Sequence, residues 1–520
     1  MARFYIENFG CRATQADGAA LERQFLERGL DRAAAAGDAE IVVLNTCTVT
    51  EGADKDARAS IRRLQRVNPG CRILVTGCYA QRAPEELAAL PGVTWVVGNS
   101  HKHQAAEIAT SHSGGFVPLA QLSGERRNPL FRTERERVGH PVLEISPDQP
   151  SLDQAGNVFV GDIFAHTELL AAPVFEAANE RTRPNLKVQD GCDNRCSFCV
   201  IPYVRGQSRS LPGKRVIAEV RTLVEAGYRE VVISGINLGR WGRDLEGSSQ
   251  LSAVSSQSKP RTSGQRLESL ILAILDRTSL EKLRISSVEP MDWSDELIEL
   301  VAASGRIAKH AHVPMQSGSD AVLRRMHRKY RPWHYREKIL TIRAAMPTAA
   351  IGADVMVGFP GETEAEFNET RLMIEELPFT YLHVFTYSAR PGTPAAEHAG
   401  QVPVAVARER NRVLREIASK KKAAFVRSLV GTVVKAITLQ SGGAEFTEAL
   451  TDNYLKMKIS GRHAANRWMD VQVEGANGEA LMGRPAVEPS WSDPRWSALH
   501  ATSAAVVTQE CMETNKRIDL

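Results

Sequence analysis

Along its first hundred residues the chain alternates short apolar runs with longer segments whose apolar side chains recur every three or four positions. Residues 4–9, 40–44 and 72–76 are rich in β-branched and aromatic side chains, which is the pattern of buried parallel strands. Segments 16–28, led by Asp17, and 53–67, with Ala57, Ile61 and Leu64 on one face, read as helices between them. Repeated strand and helix of this kind predicts a parallel βα domain over residues 1–112.

Apolar strands and amphipathic helices alternate again over residues 181–428, the pattern of a (β/α) barrel, partial or full. Five successive strand ends fall in 230–237, 283–290, 312–319, 351–362 and 384–393, and in such a fold these ends carry the active site. Residues 406–426 read as a linker helix with a basic face, and 320–329 as a helix whose basic side chains are either solvated or phosphate contacts. Beyond, 431–437, 452–459 and 470–473 alternate in twos between Gly-containing turns, predicting a small antiparallel β-barrel over 429–490. Segment 113–180 reads as a linker, Ser- and Gln-rich 246–265 as a low-complexity insertion, and 491–520 as a tail without pattern. The fold class is therefore α/β and multidomain.

With 520 residues, 43% of them hydrophobic, the chain has ample material for several cores. A formal charge of +4 permits a nucleic-acid partner without demanding one. The N-terminus has no signal-type apolar stretch and no run approaches membrane-span length, so a cytoplasmic protein without membrane contact is expected. Eight cysteines are too few for a disulfide scaffold, and six fall into two sets of three.

Cys192, Cys196 and Cys199 stand at C-x3-C-x2-C spacing, too close for sensible disulfides but suited to an iron-sulfur centre or zinc. Three thiolates on a four-iron cube would leave one iron without a protein ligand. Cys11, Cys47 and Cys78 each follow an N-terminal strand, separated by 36 and 31 residues. The carboxyl ends of parallel strands share one edge, so these thiols either converge on a second cluster or are separate core cysteines. Cys71 begins its strand, on the opposite edge, and Cys511 lies in the tail, so neither is a ligand candidate.

The C-x3-C-x2-C run, with Phe198 before its last cysteine, resembles the signature of the radical S-adenosylmethionine (SAM) enzymes. Phe9-Gly10-Cys11, Asn45-Thr46-Cys47-Thr48-Val49-Thr50 and Val75-Thr76-Gly77-Cys78 resemble the N-terminal domain of the methylthiotransferases within that group. The Asn-Thr-Cys-Thr-Val-Thr form, with Arg58, Arg62 and Arg63 on the next helix, is most similar to the branch acting on N6-threonylcarbamoyladenosine in tRNA. Thr451-Asp452-Asn453-Tyr454, before Lys456 and Lys458, is similar to the TRAM domain, an OB-like RNA-binding barrel of the same family.

The resemblance implies two [4Fe-4S] clusters, one on Cys11, Cys47 and Cys78 and one, binding SAM, on Cys192, Cys196 and Cys199. It makes Phe198, Gly235, Ser287, Gln316 and Asp354 candidates for the SAM pocket. It implies methylthiolation at C2 of the modified adenosine at tRNA position 37, a tRNA anticodon stem-loop as partner, an electron donor such as flavodoxin or ferredoxin, and a sulfur source. Tyr454 beside Lys456 and Lys458 suits base stacking with phosphate contact. The alternatives are methylthiolation of isopentenyladenosine or of a ribosomal-protein aspartate, and a non-catalytic iron-sulfur or zinc RNA-binding protein.

Overall fold

The computed structural model describes residues 2–111, 157–166, 169, 183–245, 265–443 and 445–486. Most of the expected linker, nearly all of the 246–265 insertion and the 491–520 tail lie outside the described residues.

Six strands, β1 (Arg3–Asn8), β2 (Asp31–Arg32), β3 (Ile41–Thr46), β4 (Arg72–Gly77), β5 (Val93–Gly98) and β6 (Val158–Phe159), form one parallel sheet in the order β2-β1-β3-β4-β5-β6. The three anticipated strands are β1, β3 and β4 at its centre. β5 adds a fourth full-length strand, and β6 comes from the segment read as linker. Val42, Leu44, Ile73 and Val75 pack on one face and Ile41, Val43, Leu74 and Val97 on the other, so the central strands are apolar throughout, as a doubly covered parallel sheet requires.

The central region holds β7 (Asn185–Lys187), β8 (Gln189–Asp190), β9 (Arg209–Ser210), β10 (Glu230–Ser234), β11 (Lys282–Ile285), β12 (His310–His312), β13 (Ala350–Val357) and β14 (Tyr381–Thr386). β7, β10 and β11 form one parallel sheet and β12 to β14 another. Parallel bridges from Leu283 to Ile307 and from Ser287 to His312 join the two sheets. The result is a six-stranded partial barrel, with no pairing of β14 to β7 among the described residues. On β13, Ile351, Ala353, Val355 and Val357 enter the core beneath the outer helices, leaving Gly352, Asp354 and Met356 for the barrel interior.

The 25-residue helix Val404–Ser428 runs from the barrel to the C-terminal unit. Its buried side is not purely apolar: Arg410 is buried on Glu362 at 2.8 Å, while Val406 is exposed. β15 (Val433–Gly442), β16 (Phe446–Thr451), β17 (Lys456–Ser460), β18 (Trp468–Asn477) and β19 (Ala480–Pro485) close a barrel in the order β15-β16-β17-β19-β18. One pair, β17 with β19, is parallel in this otherwise antiparallel barrel. No helix among the described residues is long and apolar enough to cross a membrane.

Candidate active site

Two of the glycines beside cysteines explain how the first three thiols meet. Gly10 has φ +98°, and a Cβ there would lie 2.5 Å from the Cβ of Cys47 and 2.9 Å from its sulfur. Gly77, at φ +101°, would place a Cβ 2.3 Å from the carbonyl oxygen of Thr46. Only glycine tolerates both the left-handed backbone and the contact, so the residue before Cys11 and the residue before Cys78 both close on the loop of Cys47. Burial first, then the charges of Cys78 and Cys11, push the Cys47 thiol up to about 12. A buried thiol whose ionisation its neighbours oppose is a donor that a metal centre relieves, and three cysteines around one loop suit a cluster with three protein ligands.

The Asn-Thr-Cys-Thr-Val-Thr run holds this loop in shape. Asn45 donates to the Thr14 carbonyl at 2.7 Å, and Thr46 to the Thr76 carbonyl at 2.6 Å. Thr48 donates to Asp54 at 2.7 Å, and Thr50 caps the helix Glu51–Val67 by accepting from the Ala53 amide. Asp54 is also held by Arg82 and by Arg390, which arrives from beyond β14, so the Cys47 loop is tied to the central barrel. Arg58, by contrast, is engaged by the Tyr79 hydroxyl and Arg63 by Glu7.

The second set lies in the loop after β8. Gly191 (φ +72°) precedes Cys192, and a Cβ there would fall 1.9 Å from the Gln207 carbonyl oxygen. The Asn194 amide and the Asn237 side chain donate to the Cys192 sulfur at 3.4 and 3.7 Å, and Arg328 donates to that of Cys196 at 3.2 Å. Donors on thiolate sulfur tune a cluster's potential. Burial, followed by the Cys196 charge, pushes Cys199 up to about 12. Arg328 corrects the reading of 320–329: it is buried between Cys196 and Glu289 instead of lying on a solvated face. The loop's third contact is Phe198, edge-on to Phe359 at 6.3 Å, a packing position.

Between the two cysteine sets runs a buried ionic network with no signal in the sequence. Asp17, on the helix Arg12–Glu27, accepts from Lys102 at 3.0 Å, from Arg205 at 2.9 Å and from Lys187 on β7. Lys187 and Arg205 also hold Asp190 at 2.7 and 3.0 Å. Burial alone would raise the Asp17 carboxyl, but the charges of Lys102, Lys187 and Arg205 outweigh it and hold it well below the usual range. Arg205 ends the short helix Ile201–Arg205, whose Val204, with Val200 just before it, packs directly on Cys78. Asn99 ties the same places together, donating to the Val204 carbonyl at 2.7 Å and to the Cys78 sulfur at 3.6 Å.

The other SAM-pocket candidates lie on or just after successive barrel strands: Gly235 follows β10, Ser287 β11 and Gln316 β12, and Asp354 is within β13. Gly235 lies against Gln189, where a Cβ would meet the amide oxygen at 2.8 Å; that same oxygen accepts from the Asn237 amide. Ser287 is bridged to His312, and Gln316, at φ +62°, is bridged to Val355. Asp354 accepts from His312 and His383 at 3.2 and 3.3 Å. The hydroxyl of Tyr381 stands between His312 and His310, at 3.0 and 2.7 Å.

Tyr454 lines one cavity with Lys456 and Lys458, but its hydroxyl is turned inward. Its loop enters the floor of the central barrel, where Arg12 donates to its hydroxyl at 3.2 Å and Asn453 donates to the Thr348 carbonyl at 2.9 Å. A cavity of about 700 Å³ lies between the barrel edge and the C-terminal unit, lined among others by Arg183, His383, Arg415, Tyr454, Lys456 and Lys458.

An open parallel barrel with three thiols in the loop after its first strands defines a radical SAM enzyme, and residues 186–374 match the radical SAM superfamily. Residues 3–98 match the family described as "Uncharacterized protein family UPF0004". The chain is 35% identical to the threonylcarbamoyladenosine tRNA methylthiotransferase MtaB of Bacillus subtilis, over 89% of this chain and 91% of that one. It is 33% identical to MtaB of Aquifex aeolicus over 90% and 99%, and 32% identical to the tRNA-2-methylthio-N(6)-dimethylallyladenosine synthase of Nocardia farcinica over 91% and 84%. The chain belongs to the threonylcarbamoyladenosine tRNA methylthiotransferase family. In fold it is similar to the radical SAM methyltransferase TsrM of Kitasatospora setae, at TM-score 0.50 and 16% identity over 76% of this chain and 75% of that one.

Proposed function

We propose that this protein methylthiolates C2 of N6-threonylcarbamoyladenosine at tRNA position 37. The relatives of matching length carry the reading, together with two sets of three free cysteines. Its cofactors are [4Fe-4S] clusters and SAM. Cys192, Cys196 and Cys199 would hold the SAM-binding cluster, and Cys11, Cys47 and Cys78 the auxiliary one. Bound there, these groups supply one-electron cleavage of SAM and a sulfur that leaves as methylthio. Asn237 and Arg328 bond to the sulfurs of Cys192 and Cys196, and Asn99 to that of Cys78. The buried charges of Asp17, Lys187, Asp190 and Arg205 keep the two loops at a fixed separation.

The anticodon stem-loop would lie along the cleft between the open barrel edge and the C-terminal barrel, where Arg415, Lys456 and Lys458 offer phosphate contacts. An electron donor of the flavodoxin or ferredoxin type and a sulfur donor complete the reaction. Mass spectrometry of tRNA nucleosides from a deletion strain tests the reading. Loss of the methylthio derivative of threonylcarbamoyladenosine is expected, and an unchanged nucleoside profile overturns it.

A further inference from the structure

The floor of the central barrel carries more positive charge than the fold neutralises. Three guanidinium carbons, from Arg284, Arg183 and Arg12, stand 5.3, 5.6 and 6.0 Å from the centroid of the Tyr454 ring. Their carboxylate is Glu230, at 2.6 Å from Arg284 and 3.9 Å from Arg183. Just outside, Lys282 and Lys309 face Asp452, so the surplus is not cancelled by the next layer. Arg284 is 1% exposed, yet both its terminal nitrogens lack a hydrogen-bond partner among the described residues, as do Nδ1 of the adjacent His310 and one acceptor, Oε2 of Glu230, so two guanidinium nitrogens face one unpaired carboxylate oxygen. Stacking on a tyrosine is worth about 0.5–2 kcal/mol per cation and leaves the N–H donors unsatisfied. Buried donors of a charged group normally have acceptors.

An oxyanion would supply the acceptors these donors lack. Guanidinium groups pair with planar two-oxygen anions through parallel N–H donors, and the way in exists: Arg183, Tyr381 and Tyr454 all line the 700 Å³ cavity. The floor lies at the amino ends of β10 to β12, and Arg12, the residue after Cys11, links it to the N-terminal cysteine set: its carbonyl accepts from Asn185 at 3.1 Å. On an adenine ring, C2 and N6 stand on opposite sides of N1. A base whose C2 faces the cysteines therefore carries its N6 group away from them. The N6-threonylcarbamoyl group ends in a carboxylate, whereas a dimethylallyl group has no charge.

We propose that Arg12, Arg183 and Arg284, gathered on Tyr454, form the seat for the carboxylate of the substrate's N6 side group and so determine which modified adenosine is accepted. The inference rests on the function proposed above and goes further by assigning substrate choice to three arginines outside both cysteine sets.

Three anticodon stem-loops test it, identical except at position 37: N6-threonylcarbamoyladenosine, its neutral methyl ester, and unmodified adenosine. Their dissociation constants are measured with the full-length, cluster-loaded protein. The free acid should bind about tenfold tighter than the ester, the size of one charge-assisted contact. In Arg183→Gln, a side chain at the cavity wall, the acid-to-ester ratio should fall to about two or less, while Arg284→Lys keeps the buried charge and loses the fork. Equal binding of acid and ester by the unaltered protein overturns the seat without reference to any variant. Equal weakening of all three RNAs in Arg183→Gln assigns the arginine to a backbone phosphate and overturns it as well. If nucleosides of the deletion strain lose the methylthio group while acid and ester bind alike, the seat fails and the enzyme assignment stands.

Discussion

Asp17 and Lys187 meet in a fully buried ion pair that joins the first helix of the N-terminal domain to the first strand of the central barrel. Lys102 and Arg205 share the same carboxylate. Asp17→Ala would leave three buried cations with one acid, Asp190. Breaking a buried pair from one side costs about 3–5 kcal/mol. Chemical denaturation of the full chain should register that loss, and iron should fall in both cysteine sets together; a loss of less than about 1 kcal/mol would show that the network does not hold the domains.

The two cysteine sets should separate by chemistry. Replacing Cys192, Cys196 and Cys199 with alanine is expected to halve the bound iron and abolish 5′-deoxyadenosine formation. Replacing Cys11, Cys47 and Cys78 should also halve the iron but leave SAM cleavage measurable while methylthiolation disappears. Retention of the full iron content by either triple variant would exclude that set as a cluster site.

Gly10→Ala isolates the geometry of the auxiliary site. The added methyl would fall 2.5 Å from the Cys47 Cβ on a backbone at φ +98°, a combination that costs about 1–3 kcal/mol of strain. The auxiliary iron should be lost selectively, visible as half the iron absorbance with 5′-deoxyadenosine formation preserved. Unchanged iron would mean that the loop opens without consequence.

His310 should make stability fall in mild acid. Burial first, and then the charges of Arg284, His312, Arg12 and Arg183, hold its pKa well below 6.5, so the folded chain keeps it neutral. The unfolded chain takes up a proton below about pH 6.5 and the folded chain does not. The contribution is thus complete above that pH and lost as pH falls, by up to about 1.4 kcal/mol per pH unit. His310→Gln should flatten the melting temperature between pH 7 and 5.5 relative to the parent; identical pH profiles would show that His310 is protonated in the fold.

What the sequence discloses here follows from how local the signal is. Strands ending in Cys11, Cys47 and Cys78 are legible because a parallel sheet brings carboxyl ends to one edge whatever its strand order. The short C-x3-C-x2-C loop is legible because its three thiols are sequence neighbours. Asp17, Lys102, Lys187 and Arg205 are not, since a charged residue within a helix or strand reads as solvated until its distant partners are known. Arg328 and Arg410 mislead for the same reason. Tyr454 carries a sequence signal, but its direction is set by a loop that enters another domain, and period-two alternation says nothing about that. The unpaired donors of Arg284 become visible only when every neighbour has been placed.

The unclosed barrel has a consequence for the protein in a crowded solution. Stopping at β14 leaves a strand whose outer backbone groups would recruit any other extended chain, the usual start of edge-to-edge aggregation. The helix Val404–Ser428 lies along that strand, and Asn411 donates to the Val384 carbonyl at 3.0 Å, occupying an acceptor a foreign strand would need. The helix that leads to the C-terminal barrel is therefore also the guard that lets the active-site side stay open without the molecules joining into fibres.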